Sequence, residues 1–415
     1  MNKIFKIKFI VFLILTACFF LSLSQHVFYG DSKLAFLIVF IVIEVVLILT
    51  FFKGNYIYYN LLLILLINLF TTPLFFRLDF DLPYRKNNSE EVLIYSENFK
   101  NGKLKGKHLI KTDTRGFRVN KKIDYKNKSD NSFRAIAIGA STTEEEGLDE
   151  NKIWTNLLIN KIKLHEQNKL DNYEIINMGV GGLRIIHHYF ALKRNFKLKP
   201  DLVIFLTGIN DWNYHVVHRE KKFVFNYYEY NFDFKKSLIF KFITNVNKSL
   251  KKKLYKPKKE INKKVIEKNK YEDLITKQTN FKKKIKKEIN FRPNNVYYEY
   301  NYWLNTIIKF CKKNKVNCLF VDQPTLYKDS INLDLRENLW INPPFVDYKI
   351  NFDDNVYIAN FYNKFLKDKV EEHSLNFCKI SDKIPANKEN FIDDAHFTPE
   401  GSKLVAQNIF NCIKN

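Results

Sequence analysis

Residues Arg134–Glu145 read RAIAIGASTTEE, and the fold is decided there. Arg134–Ile138 is a short run of β-branched and apolar residues, the mark of a buried strand. Gly139 breaks the run, Ala140-Ser141-Thr142-Thr143 follow, and a helix-compatible segment continues through Trp154 and Leu157–Leu158. A strand, a tight turn carrying a hydroxyl and then a helix is how an open α/β sheet presents a nucleophile at its carboxyl edge. Alone, a Gly-x-Ser after a strand is more often an ordinary turn, so the later segments must decide.

Three of them do. Tyr173–Met178 (YEIINM) reads as a second strand, with Gly179-Val180-Gly181-Gly182 as its exit and a helix from about Leu183 to Phe196, ended by Pro200. Asp201–Leu206 is a third strand, apolar after its Asp, as in a parallel sheet covered on both faces. It leaves through Thr207-Gly208-Ile209-Asn210-Asp211. After a helix over Tyr302–Lys312 come the strand Asn317–Asp322 and the turn Gln323-Pro324-Thr325, then a helix over about Val356–Val370 and a fifth strand at Leu375–Ile380. In the stretch Phe391–Gly401, Thr398 as N-cap and Pro399 at the first helical position start a terminal helix through Phe410. Asp393 and His396 fall in the loop before it, where a turn can set carboxylate against imidazole. Strands alternating with helices predict a doubly wound α/β sheet with these turns gathered along one edge.

Gly139-Ala140-Ser141, Asn177-x-Gly179-x-x-Gly182, Gly208-Ile209-Asn210-Asp211 and Asp393-x-x-His396 therefore occur in order, each at a strand exit or in the last loop. Together they resemble the four ordered blocks of the SGNH (GDSL-type) hydrolases, over residues 133–412 apart from an insertion at about 214–300. The resemblance implies a flavodoxin-like three-layer α/β/α sandwich with a parallel sheet. It also implies ester hydrolysis or acyl transfer with neither metal nor cofactor. Carried over by position, Ser141 is the nucleophile, His396 its general base, and Asp393, rather than Asp394, the carboxylate that orients the imidazole. The oxyanion hole is then the backbone N–H groups of Ser141 and Gly182 and the side-chain amide of Asn210. Two positions depart from the pattern. Ala140 stands where an Asp is usual, and Gly182 is followed by Leu183-Arg184 instead of a small polar pair, which leaves Gly181 as a substitute donor. Gly116-Phe117-Arg118 also resembles the lead-in of membrane-anchored members.

The amino-terminal part sets the cellular context. Phe9–Leu23, Leu34–Phe52 and Tyr56–Phe76 are apolar runs, two long enough to cross a bilayer and the first long enough with Ile4–Ile7 included. A cleaved signal peptide shows one such run, so three transmembrane helices are expected, with Glu44 inside the second. Lys3, Lys6, Lys8 and Lys53 favour a cytoplasmic start, whereas Lys33, Arg77, Arg85 and Lys86 balance them. Three spans from an inside start deliver residue 77 onward to the periplasmic or extracytoplasmic side. The expected organisation is a transmembrane region at 1–76, a linker and small extended element at 77–132, and a hydrolase domain at 133–415. Arg115 and Arg118 in the second part read as a turn with solvated arginines more readily than as substrate contacts.

The formal charge of +24 fits either a Lys-biased composition or an anionic neighbour such as lipid headgroups or an acidic glycan; no recognition motif supports nucleic acid. Lys251–Lys253, Lys256–Lys259 and Lys282–Lys287 make the insertion basic and helical, a lid, a membrane platform or a solvated excursion. His215 and His218 have metal-compatible spacing, but two ligands do not make a site. Cys18 lies in an expected span. Cys311, Cys318, Cys378 and Cys412 show no CxxC spacing for zinc, and disulfides and buried thiols both remain open. The favoured function is a membrane-anchored serine esterase that removes an O-acyl group, such as acetyl, from an envelope glycan or lipid through an acyl-serine. Its rivals are an O-acyltransferase using the same site on a polysaccharide hydroxyl, and a catalytically silent envelope scaffold.

Overall fold

The computed structural model describes residues 82, 84–167, 169–219, 270–329, 331–336 and 339–414. The three expected spans, with Cys18 and Glu44, lie outside the described residues, as do residues 220–269 of the insertion. Among the described residues no helix is long and apolar enough to cross a membrane.

An antiparallel hairpin of β1 (Glu90–Tyr95) and β2 (Gly106–Lys111) precedes β3 (Arg118–Val119). The chain then runs β4 (Ser132–Gly139), α1 (Ser141–Glu144), α2 (Trp154–His165), β5 (Asn172–Asn177), α3 (Ile185–Asn195), β6 (Leu202–Leu206) and α4 (Ile209–Val217). After the undescribed stretch come α5 (Lys270–Lys284), β7 (Glu288–Ile289), α6 (Tyr298–Asn314), β8 (Asn317–Val321), α7 (Leu333–Arg336), β9 (Lys349–Ile350), α8 (Phe352–Glu372), β10 (Asn376–Cys378) and α9 (Pro399–Lys414). The main sheet has the order β10-β8-β6-β4-β5-β3. Five of its strands are parallel, and in chain order these five lie 2-1-3-4-5, the flavodoxin-like arrangement.

The apolar runs explain the centre of this sheet. Ala135, Ile136, Ala137 and Ile138 of β4, and all of β6, are buried, as strands covered on both faces must be. Right-handed crossovers place the helices. The chain leaves β4 for β5 in one direction and returns past it to β6 in the other, so α2 and α3 cover opposite faces. α9 packs on α2 and α6 packs on α3, which completes the two outer layers. Where the direction reverses, beside the carboxyl end of β4, an α/β sheet opens its ligand crevice. Ser141 stands there.

One expectation changes. The sheet is mixed: β3, from the stretch read as a linker and small extended element outside the sheet, pairs antiparallel with β5 through Arg118 opposite Asn177. A two-residue strand is too short to show periodicity in a sequence. The cysteine question also closes, with disulfides Cys311–Cys318, joining α6 to β8, and Cys378–Cys412, joining β10 to α9.

Candidate active site

Ser141 opens α1 immediately after the break at Gly139-Ala140, so its backbone N–H has no partner within the helix. The helix lasts four residues and ends at Glu145, whose φ of +49° turns the chain away. Ser141 is partly exposed, while Thr142, Thr143, Glu144 and Glu145 are buried behind it. The exit of β5 presses on this helix. Asn177 donates to the Thr143 carbonyl at 2.6 Å and accepts the Gly179 N–H at 2.9 Å. A Cβ on Gly179 would lie 2.7 Å from the Thr143 carbonyl carbon and 2.8 Å from Glu144 Cα, so only glycine fits the approach. Gly182 follows with a φ of +78° in an exposed bend.

Gly181 donates its N–H to Glu144 Oε2 at 2.7 Å, and a Cβ on it would come within 3.8 Å of Ser141 Cβ. That amide is already engaged by a carboxylate. The side chain of Asn210 donates one amide hydrogen to the Leu183 carbonyl at 2.9 Å, and a primary amide carries a second. Its neighbour Asp211 accepts the Ile185 N–H at 3.1 Å and so ties α4 to the turn that carries Gly182. Burial raises the Asp211 carboxyl to about 7.

The Asp393 carboxylate organises the last loop. Its Oδ1 accepts the backbone N–H of Ala395 at 3.1 Å and of His396 at 3.0 Å, which folds the turn back on itself. The imidazole Nδ1 then lies 2.9 Å from Oδ1 and 2.8 Å from Oδ2. An ionised carboxylate only accepts, so Nδ1 carries the proton and Nε2 keeps its lone pair. Trp340 donates its indole N–H to Asp393 Oδ2 at 2.9 Å and stacks on the imidazole with ring centres 6.5 Å apart. Asp394 faces elsewhere and accepts from the Tyr327 hydroxyl at 2.6 Å and the Trp340 amide at 2.8 Å.

Electrostatics separate the two neighbouring acids. Burial works to raise Asp393, but the imidazole and its hydrogen bonds bring the group down to about 2. Burial and the Asp393 charge together push Asp394 up to about 6. For His396 burial works to lower the imidazole, and the Asp393 carboxylate outweighs it, leaving the ring above its ordinary value.

The segment that follows the serine helix is joined to the helix that follows His396. Glu145 Oε2 accepts from the Trp154 amide at 2.5 Å and lies 3.2 Å from the Ser402 hydroxyl, on α9 just beyond His396; that hydroxyl's one hydrogen also reaches the Lys152 carbonyl at 2.7 Å. Thr398 caps α9 by accepting the Gly401 N–H at 3.1 Å. Tyr271, at the start of α5, sets its ring centre 6.2 Å from that of His396 and closes against Gly147. Among the described residues no hydrogen bond joins Ser141 to His396; such bonds often tighten only in the substrate complex.

Arg118 corrects one expectation. It is neither solvated nor aimed at a ligand: the buried guanidinium donates to the carbonyls of Glu144, Glu145 and Leu148 and to the Glu150 carboxylate, at 2.6–2.8 Å. A planar fork of five donors suits this cluster of acceptors behind the serine helix. Arg115 lies over the Tyr125 ring. His215 hydrogen bonds to the Tyr362 hydroxyl and His218 to the Tyr214 carbonyl. Among the described residues no group of three or more His, Cys, Asp or Glu is arranged to hold a metal ion.

A family model described as GDSL-like Lipase/Acylhydrolase matches residues 136–409. The chain belongs to this family. It is a GDSL-type hydrolase of ester bonds, and the matched region holds every block that suggested it. Solved structures similar to this GDSL-type chain include the acetyl xylan esterase AlAXEase, 14% identical, covering 68% of this chain and 100% of that one with a TM-score of 0.38. A catalytic mutant of the acetylxylan esterase Axe2 from Geobacillus stearothermophilus is 12% identical, covering 68% and 94% with a TM-score of 0.37. LAE5, an alpha/beta hydrolase from the metagenome of Lake Arreo in Spain, is 10% identical, covering 70% and 98% with a TM-score of 0.35. No curated protein matches the chain significantly.

Proposed function

We propose that this GDSL-type hydrolase is a membrane-anchored serine esterase that removes O-acyl groups, acetyl among them, from an envelope glycan or lipid on the extracytoplasmic side. The observation that carries the reading is the His396 imidazole held through Nδ1 by Asp393, just ahead of a helix whose Ser402 joins it to the segment that follows the serine helix. Two disulfides suit an oxidising compartment, and the three apolar runs ahead of residue 77 suit an anchor.

In this mechanism His396 Nε2 takes the Ser141 proton as Oγ attacks the acyl carbon. The resulting oxyanion is met by the N–H groups of Ser141 and Gly182 and by the second amide hydrogen of Asn210. The ester oxygen leaves with the proton that His396 returns to it, and an acyl-serine remains. Water, deprotonated by the same nitrogen, attacks that ester and releases the acid and Ser141. Asp393 stays ionised and stabilises the imidazolium at both steps.

The test is mass spectrometry of envelope glycan and lipid from cells carrying wild-type protein or Ser141→Ala. Acyl groups retained only in the variant support hydrolysis. Acyl groups lost in the variant assign the same site to transfer onto a hydroxyl. Identical material from both supports the silent scaffold and overturns the proposal.

A further inference from the structure

The family match begins at Ile136, yet a side chain from well ahead of it reaches the serine helix. Arg85 lies fifty-nine residues before Glu144, in the lead-in that also forms β1. Its Nε donates to Glu144 Oε1 at 2.8 Å, while its Nη groups meet Glu91 at 3.2 Å and Glu146 at 2.8 Å. The other oxygen of Glu144 holds the Gly181 N–H at 2.7 Å. One carboxylate thus bridges a guanidinium from outside the matched domain to the amide that precedes Gly182, on a residue where an added Cβ would lie 3.8 Å from Ser141 Cβ.

The arrangement is costly without its cation. Glu144 is buried, and a carboxylate taken out of water needs compensating partners. Without Arg85 the charged Glu144 would be drawn toward water or would take up a proton. Either change weakens its grip on Gly181. Gly182 has a φ of +78°, and its turn is held on the far side by Asn210 on the Leu183 carbonyl and Asp211 on the Ile185 N–H, so on the near side Glu144 is the side chain that fixes it, through Gly181. Two further contacts bind the lead-in to the same loop. The Tyr95 hydroxyl donates to the Gly147 carbonyl at 3.1 Å, and Arg118 gathers the carbonyls behind Glu144.

We propose that Arg85 and Glu144 are positioning residues of the oxyanion hole, and that the lead-in at residues 82–119 completes the active site of the hydrolase domain. This rests on the serine-esterase reading given above, in which Gly182 donates to the oxyanion. The role belongs to the transition state. Ester binding involves the acyl and alcohol parts, whereas the Gly182 amide matters most when charge develops on oxygen.

The experiment measures kcat and KM on p-nitrophenyl acetate for the full chain as wild type, Arg85→Ala, Arg85→Lys, Glu144→Ala and the Arg85→Ala/Glu144→Ala pair. Rates are expressed per serine labelled to completion by a fluorophosphonate, so misfolded protein is not counted. A displacement of about 1 Å at a catalytic group costs up to about 10²-fold, so Arg85→Ala and Glu144→Ala should each lose about 10- to 100-fold in kcat. KM should stay within about twofold. Arg85→Lys should recover part of the loss, because an ammonium keeps the charge but not the fork. The pair should lose little more than either single variant, as groups acting in series do. Wild-type kcat per labelled serine in Arg85→Ala would overturn the inference and leave the esterase reading standing. A wild type that the phosphonate never labels at Ser141 would overturn that reading as well.

Discussion

Replacing Gly179 by alanine tests the close approach on which the candidate site is built. The added Cβ would sit 2.7 Å from the Thr143 carbonyl carbon and 2.8 Å from Glu144 Cα, with the Glu144 amide nitrogen nearer still. Carbon atoms rest about 3.5–4.0 Å apart, so the turn and the helix must separate by roughly 1 Å. The atoms met are backbone, which cannot rotate out of the way as a flexible side chain can. Overpacking of this kind costs about 1–3 kcal/mol, equivalent to about 2–4 °C in melting temperature per kcal/mol for a domain of 150–250 residues. The catalytic effect should be larger in proportion. The same 1 Å moves Gly181 and Gly182 relative to Ser141, and misplacement of that size costs up to about 10²-fold in rate. The assay pairs a thermal melt followed by circular dichroism with kcat on p-nitrophenyl acetate per phosphonate-labelled serine. A melting temperature lowered by several degrees, with kcat down at least tenfold and KM nearly unchanged, is the expected outcome. A variant as active per labelled serine as the wild type would refute the reasoning, because the turn would then have no need of its position.

Other perturbations read other parts of the site. Because Asp393 holds the His396 imidazole above its ordinary value of 6.5 and the base must be neutral to act, kcat/KM should rise with pH through an apparent pKa above 6.5. Asp393→Asn removes that push and the correct tautomer, so kcat should fall by up to about 10⁴-fold; an unchanged pH profile would contradict the assignment. Glu145 is raised to about 8 by burial, against 4.5 for an exposed carboxyl, so the fold binds more protons than the unfolded chain between those values and loses stability as pH rises through them. The gap corresponds to at most roughly 5 kcal/mol, which Glu145→Gln should restore near pH 9 and not near pH 4.5; an equal melting difference at both would reject this account. Opening the Cys378–Cys412 disulfide, which closes thirty-four residues, should cost about 4 kcal/mol by chain entropy, seen as a lower midpoint in urea for Cys378→Ser/Cys412→Ser, and an unshifted midpoint would exclude it.

Much of this was open to reading because it is local or periodic. β4, β6 and β8 are apolar runs bounded by turns, and burial on both faces of a parallel sheet demands that pattern. The Asp393–His396 contact is also local, since a turn of three residues brings the two side chains together. What escaped reading is long-range and carried by single residues. Arg85 reaches Glu144 across fifty-nine positions, and nothing in its neighbours marks it as a partner. Arg118 looked like one of many surface cations in a chain of charge +24, and only the fold shows three carbonyls converging on it. Trp340 reaches Asp393 from a segment with neither strand nor helix. Cysteine spacings of seven and thirty-four residues cannot by themselves distinguish a disulfide from two buried thiols.

The central claim is that Ser141 is made nucleophilic by His396. The most direct measurement is peptide mapping of the full chain after reaction with a fluorophosphonate, for wild type, Ser141→Ala and His396→Ala. The account predicts one adduct, on Ser141, lost in the serine variant and formed at least about 10²-fold more slowly in the histidine variant. An adduct that persists in Ser141→Ala, or one that forms on Ser141 just as fast without His396, would contradict it.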